Sequence, residues 1–241
     1  MKLKEILKGI EVIECTASPE LEISGVSADS RQVQPGGLFV AVPGFAADGH
    51  KFIPAAVKNC AAAVICEKKP QIDVPYVLTG NARRALAMAA ANWYGHPADS
   101  MTMIGVTGTN GKTTVTYLLK TVLEKTLGAK VGLIGTIQNM IGDKVLDTER
   151  TTPESIELQK LFAEMRDAGC THVVMEVSSH ALALSRVDGV HFRVGVFTNL
   201  TEDHLDFHKT MLDYCDAKAK LFQRCEVGVM NLDDLYCDRI R

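Results

Sequence analysis

Val106-Thr107-Gly108-Thr109-Asn110-Gly111-Lys112-Thr113-Thr114 is a glycine-rich bend set between an apolar run, Met101 to Val106, and a helix-compatible one, Val115 to Leu127. Strand, bend and helix in that order make a phosphate cradle. The glycines let the backbone curl until successive N–H groups point inward, and the helix that follows adds its positive end. In such a cradle Lys112 lies on the β- and γ-phosphates of a nucleotide and the Thr113 hydroxyl on Mg²⁺. The widespread form of the loop, G-x-x-x-x-G-K-[ST], has glycine where this chain carries Val106. G-T-N-G-K-T-T, with its extra glycine at Gly108, is therefore a related but distinct loop. The competing reading is an ordinary Gly/Asn turn.

Downstream of the bend, strands and helices alternate at βαβ spacing. Strands are predicted over residues 101–107, 130–134, 172–177, 195–200 and 227–231, and helices notably over 153–168 and 211–222. Continuous apolar strands with helices between them predict a doubly wound, mainly parallel sheet of the P-loop ATPase type. Ligands then sit beyond the carboxyl ends of the strands. Upstream, Gly37 to Val42 and Ala61 to Cys66 read as short buried strands, and Asn81 to Tyr94 as an alanine-rich packed helix. Tyr94-Gly95-His96-Pro97 breaks that helix. The expected division is a small α/β domain over 1–97 and a larger α/β domain over 98–241. The second sheet is expected to be incomplete, because the chain stops at Arg241 soon after Asn231-Leu232-Asp233-Asp234.

Polar residues gather where the predicted strands end. His172 to Val177 is an apolar strand carrying Glu176, followed by Ser178-Ser179-His180. A carboxylate there, beside a phosphate loop, suits Mg²⁺, since hard cations take oxygen donors; a turn-capping Glu176 is the alternative. Thr198-Asn199-Leu200-Thr201-Glu202-Asp203-His204-Leu205-Asp206 is a second strand end, dense in acid, imidazole and amide groups. His204 there reads as a metal or phosphate ligand. Lys218, in the amphipathic run Tyr214 to Phe222, is on composition alone a solvated lysine. Asp29-Ser30-Arg31 can bind a phosphate or a uridine edge by charge-assisted hydrogen bonds, a weak signal by itself.

Composition narrows the class of partner. With 29 acidic against 26 basic residues the chain has no bulk attraction for nucleic acid or anionic membranes. No apolar run is long enough to span a bilayer. Seven cysteines without a C-x-x-C pair point to reduced thiols and a cytoplasmic setting.

Taken together, these residues resemble the Mur ligase family, in its UDP-N-acetylmuramoyl-L-alanyl-D-glutamate ligase (MurE) branch. The resemblance covers essentially the whole chain. It rests on Asp29-Ser30-Arg31, Gly44-x-x-x-Asp48-Gly49, Gly108 to Thr114, Thr151-Thr152-Pro153-Glu154, Glu176-Val-Ser-Ser-His180, Asn199 to Asp206 and Tyr214-x-x-Ala-Lys218. It implies a UDP-binding domain, an ATPase domain and a third, amino-acid-docking domain, of which the first and most of the second are expected within these residues. It implies ATP bound by Gly108, Thr109, Asn110, Gly111, Lys112, Thr113, Thr114 and Asn231, with Asp233 on the same motif. A muramoyl-dipeptide would be held by Ser30, Phe45, Ala46, Ala47, Thr151, Thr152, Ser178 and Arg186. Mg²⁺ would be held by Thr113, Glu176, His204 and Lys218, the last carbamylated by CO₂ to N6-carboxylysine, and Lys112, Glu176, His204 and Lys218 would carry catalysis. Arg150 and Leu184 depart from some relatives, which have asparagine and glutamine at these places.

The implied reaction is amide ligation. The D-Glu carboxylate of UDP-MurNAc-L-Ala-D-Glu takes the γ-phosphoryl group of ATP, and the amine of meso-diaminopimelate or L-lysine then displaces phosphate. A monomer is expected. The alternatives are a nucleotide-sugar- and ATP-binding fragment without turnover, another P-loop ligase of the folylpolyglutamate synthase type, and a P-loop switch that hydrolyses ATP without a muramoyl substrate.

Overall fold

The computed structural model describes residues 1–44 and 47–241, and the chain divides between His96 and Pro97 into two compact units. The first unit runs α1 (Leu3–Ile6), β1 (Glu14–Cys15), β2 (Val26–Ser27), β3 (Leu38–Val40), α2 (Ile53–Lys58), β4 (Ala63–Cys66), β5 (Tyr76–Leu78) and α3 (Ala82–Trp93). Its sheet has the order β1-β5-β4-β3-β2, parallel except for the β1–β5 pair. The two apolar runs seen in the sequence are the central strands β3 and β4, buried along their whole length. Helix α3 starts where the Asn81 side chain accepts a hydrogen bond from the Arg84 amide, and its alanines let it lie close to the sheet. Asn92, near its end, donates to the carbonyls of Ile6 and Lys8 and so fixes the N-terminal turn.

The second unit runs β6 (Thr102–Thr107), α4 (Lys112–Leu127), β7 (Val131–Ile134), β8 (Asn139–Ile141), β9 (Lys144–Leu146), α5 (Ser155–Asp167), β10 (His172–Glu176), α6 (Ser179–Ala183), β11 (Phe192–Phe197), α7 (Leu205–His208), α8 (Met211–Ala219), β12 (Cys225–Met230) and α9 (Cys237–Ile240). Strand order is β12-β11-β6-β10-β7-β8-β9, with the first five strands parallel and the β7–β8–β9 meander antiparallel. Helices cover both faces. Leu158, Phe162 and Met165 of α5 pack with Met103, Val173 and Met175, whereas Val115, Leu119 and Leu123 of α4 pack with Ile104, Val106 and Val174. Successive residues of β6 and β10 thus serve opposite layers, as the pleat requires. The expected mainly parallel α/β sheet is present.

Three details differ from the sequence reading. Strand β11 starts at Phe192 and stops at Phe197, so Thr198, Asn199 and Leu200 lie beyond it. Their polar groups turn to the glycine-rich bend instead: Thr198 Oγ1 donates to the Asn110 carbonyl at 2.7 Å. The predicted helix 211–222 ends at Ala219 and is followed by a single 3-10 turn. The β8–β9 hairpin had no counterpart in the sequence reading.

Candidate active site

The bend after β6 is held in shape by its neighbours. Gly108 has φ +147°, and a Cβ there would stand 1.9 Å from Thr198 Oγ1, so only glycine fits. The Thr109 amide donates to the Asn199 carbonyl at 2.8 Å, and the Asn110 amide to Asn199 Oδ1 at 2.9 Å. Gly111, at φ +82°, is the N-cap of α4, and Thr113 and Thr114 form that helix's first turn. Lys112 Nζ reaches back over the bend to the carbonyls of Gly108 (2.9 Å) and Thr109 (2.8 Å). Burial lowers its pKa, while the charges of Glu176 and Asp203 pull it back up. The loop thus leads into a helix N-terminus, with the Lys112 ammonium folded back over it and the Thr109 and Asn110 amides held by Asn199.

Glu176, the last residue of β10, is 1% exposed. Its Oε1 accepts from Thr113 Oγ1 and from the Thr136 amide, both at 2.9 Å, and its Oε2 from Thr136 Oγ1 at 3.1 Å. These donors are all neutral, so no cation among them occupies the carboxylate oxygens.

Lys218, on α8, is 1% exposed and donates to the Gly108 carbonyl at 2.7 Å, the same oxygen that Lys112 uses. Its ammonium lies 4.4 Å from the centre of the Tyr214 ring, whose hydroxyl is 3.2 Å from Thr109 Oγ1. Burial, and then the charge of Lys112, push the Lys218 pKa down to about 7. The amphipathic periodicity of α8 concealed this. The lysine sits on the helix's inner face.

An open cavity of about 390 Å³ brings together Thr151, Thr152, Ser178, Arg186 and His204, with His180, Thr136 and Arg150 beside them. Thr151 Oγ1 is 2.9 Å from Thr136 Oγ1, which couples it to Glu176. Thr152 Oγ1 donates to the Glu176 carbonyl and accepts from the Ser178 amide. Arg186 spans Glu154 (2.6 Å) and the Thr152 carbonyl (3.1 Å). His204, at φ +54°, caps α7 and stands edge-on to His180, with ring centroids 4.8 Å apart. Arg150 approaches Glu154 only at 4.0 Å, and Leu184 ends α6. Asn231 donates to the Thr198 carbonyl at 2.8 Å and accepts from the Asp233 amide.

Ser30 and Ala47 belong to the first unit. Ser30 is buried, and its carbonyl accepts from Asn59; the Ala47 carbonyl accepts from the Gly44 amide. Phe45 and Ala46 lie outside the described residues. Among the described residues no three His, Cys, Asp or Glu side chains converge on one point. The expected Mg²⁺ set has only two residues of those types. Sequence reasoning missed Thr136 and His208 as contributors, and placed Thr198 in a polar strand end without giving it a role. A second histidine four positions after His204 was the one available signal, since that spacing shares a helix face.

Among the described residues all seven cysteines are free, and no helix is long and apolar enough to cross a membrane. A Mur ligase middle-domain model matches residues 106–241, and a Mur ligase family catalytic-domain model matches residues 22–104. The chain is 47% identical over 245 residues to a UDP-N-acetylmuramoyl-L-alanyl-D-glutamate–2,6-diaminopimelate ligase of Clostridium tetani, covering all of this chain and 50% of that protein. It is 50% identical over 239 residues to the protein of that name from Caldanaerobacter subterraneus, covering 98% of this chain and 49% of the relative. A solved structure of that name superposes with a TM-score of 0.84 at 30% identity, over all of this chain and 49% of the other. A MurF structure from Acinetobacter baumannii shares the fold, with a TM-score of 0.66 at 20% identity. The chain spans about half the length of the curated relatives it matches. A glycine-rich bend, a clamped carboxylate and a buried lysine at the ends of parallel strands, together with these matches, place the chain in the Mur ligase family.

Proposed function

We propose that this chain carries the nucleotide- and muramoyl-peptide-binding part of an ATP-dependent amide ligase that extends the D-Glu of UDP-MurNAc-L-Ala-D-Glu with a diamino acid. The names of the relatives favour 2,6-diaminopimelate as that amino acid. The observation that carries the reading is the cavity: Thr151, Thr152, Ser178 and Arg186 line it together, and Thr136 ties it to the carboxylate that Thr113 of the nucleotide loop also contacts. A phosphate site and an anion-accepting pocket thus share one wall.

In this reading the loop Gly108 to Thr114 holds the phosphates of ATP with Asn231 nearby, and Lys112 offsets their repulsion of the incoming carboxylate. Arg186 and the hydroxyls of Thr151, Thr152 and Ser178 orient the peptide, and Ser30 with the 45–47 segment serves the UDP end. Mg²⁺ would be held by Thr113, Glu176, His204 and Lys218, and when bound it neutralises charge on the transferring phosphoryl group. The oxygen donors around Glu176 fit a hard cation. Lys218 fits carbamylation because a pKa of about 7 leaves much of its amine neutral and nucleophilic toward CO₂. The setting is cytoplasmic and the protein monomeric.

Calorimetric titration of the chain with UDP-MurNAc-L-Ala-D-Glu tests the reading, with Arg186→Ala as control. Binding is expected, weakened at least about tenfold in the variant by loss of a charge-assisted contact. A folded chain that binds no muramoyl dipeptide overturns it.

A further inference from the structure

One buried ionisable side chain of the second unit has no part in the scheme above. His208 is 6% exposed, and its Nε2 lies 2.8 Å from Ser179 Oγ, itself on a residue 2% exposed. Its ring stacks at 31° on Tyr214, centroids 5.0 Å apart, and lies 5.5 Å from His180. Enclosure of this kind lowers the imidazole pKa to about 4, burial first and the neighbouring cations after it, so the ring is a neutral hydrogen-bonding group.

The two residues joined by this bond belong to two short helices. Ser179 opens α6, whose N-cap is Ser178, while His208 closes α7, whose N-cap is His204. Both N-caps line the cavity. Helix α7 is a single turn and begins at a non-glycine residue with φ +54°. One turn has no cooperativity to hold itself together, so tertiary contacts must supply its geometry. Packing of the Phe207 ring against His180, centroids 4.2 Å apart, gives α7 one contact to α6. A hydrogen bond between this buried nitrogen and the buried hydroxyl supplies a direction.

We propose that His208 is a positioning residue: through Ser179 it locks α7 onto α6 and thereby fixes His204 and Ser178 relative to each other across the cavity. The inference rests on the ligase reading for what the cavity binds, and on geometry alone for the lock. The sequence places His208 outside every motif that carries the family resemblance, and its role differs from theirs: it touches no ligand and acts on two residues that do.

His208→Phe keeps a ring of similar volume and removes the nitrogen, Ser179→Ala removes the hydroxyl, and His208→Gln returns a polar group at similar reach. Each is titrated with UDP-MurNAc-L-Ala-D-Glu by calorimetry, and the imidazole signals of the unliganded chain are recorded by long-range ¹H–¹⁵N correlation. Expected are about fivefold or greater losses of affinity in His208→Phe and Ser179→Ala, with no further loss when the two are combined, because both break one bond. His208→Gln recovers most of the loss. The His204 signals shift or broaden in the two single variants and return in His208→Gln. Unchanged His204 signals in His208→Phe overturn the lock, as do losses that multiply in the double variant. If the unsubstituted chain does not bind the dipeptide, the ligase reading fails and the His204 signals alone decide the lock. Should His208→Phe not fold, Ser179→Ala, a far smaller change, gives the same readouts.

Discussion

Two ammonium groups share the carbonyl of Gly108, Lys112 at 2.9 Å and Lys218 at 2.7 Å, and the residue that offers it can only be glycine. At Gly108→Ala the added methyl meets Thr198 Oγ1 at 1.9 Å with φ at +147°, so the bend must move or Thr198 must leave Asn110. A loss of about 2–4 kcal/mol in unfolding free energy is expected, together with loss of nucleotide binding. Urea denaturation and a fluorescent ATP analogue measure the two. Lys218 makes a separate prediction. Its pKa falls from the ordinary 10.5 to about 7 on folding, so between those values the unfolded chain holds the extra proton. Stability therefore rises with pH from about 7 upward. Cys66 and Cys215, raised by burial from 9.0 to about 11, act in the opposite sense above pH 9 and leave pH 7–9 as the clear window. Across it the lysine contributes about 2 kcal/mol. Unfolding free energies in CO₂-free buffer should show that rise in the parent chain and a clearly smaller one in Lys218→Met, where Lys112, its pKa also lowered by burial, remains. The same rise in the variant would assign it to another group.

At the scale of elements, legibility followed chemistry more than geometry. The glycine-rich bend, the carboxylate ending β10 and the imidazole before α7 were readable because each breaks an apolar run with residue types that phosphate and Mg²⁺ require. The end of β11 was not, since Thr198 and Asn199 leave the strand to serve Asn110 and Thr109, and a one-dimensional pattern does not register that distant partner. Thr136 carries no motif at all. It matters because the turn from β7 into the unanticipated hairpin aims its amide and hydroxyl at Glu176. His208 was hidden for a related reason, its partner Ser179 being 29 residues away. Helix α5 shows what periodicity does deliver. Leu158, Phe162 and Met165 fall on one stripe and are fully buried against β6 and β10. Phe162→Ala should cost about 3–5 kcal/mol, most of it as a cavity between helix and sheet. Leu118→Ala, on the outer face of α4 and 60% exposed, should change stability by less than about 0.5 kcal/mol. Thermal denaturation of both variants checks the contrast, and similar losses would mean that the α4 face is covered in solution.

For the molecule as a whole, two divisions of the chain are available and they disagree. The family models meet between residues 104 and 106, inside β6, whereas the contacts divide the chain at His96 and Pro97. Physical reasoning favours the second. Strand β6 lies between β11 and β10 in the middle of the larger sheet, and Met103 and Ile104 each bury into a different layer of that unit. A cut at 104 removes half of a central strand and leaves its neighbours' ladder hydrogen bonds unpaired, which neither side can repair. A cut at 96 falls in a turn where Gly95 and His96 both have positive φ and helix α3 has already ended. Each piece then keeps a core of its own, built around Phe39 in the first unit and Phe162 in the second. The fragments 1–96 and 97–241 should each show cooperative thermal unfolding by circular dichroism. Fragment 105–241 should show a broad, non-cooperative melt and bind no nucleotide, since the first half of the strand leading into the bend is gone. Cooperative unfolding of 105–241 would show that the first half of β6 is dispensable to the sheet. A non-cooperative melt of 97–241 would mean that the larger unit draws on stability from outside its own residues, and would move the physical boundary away from His96.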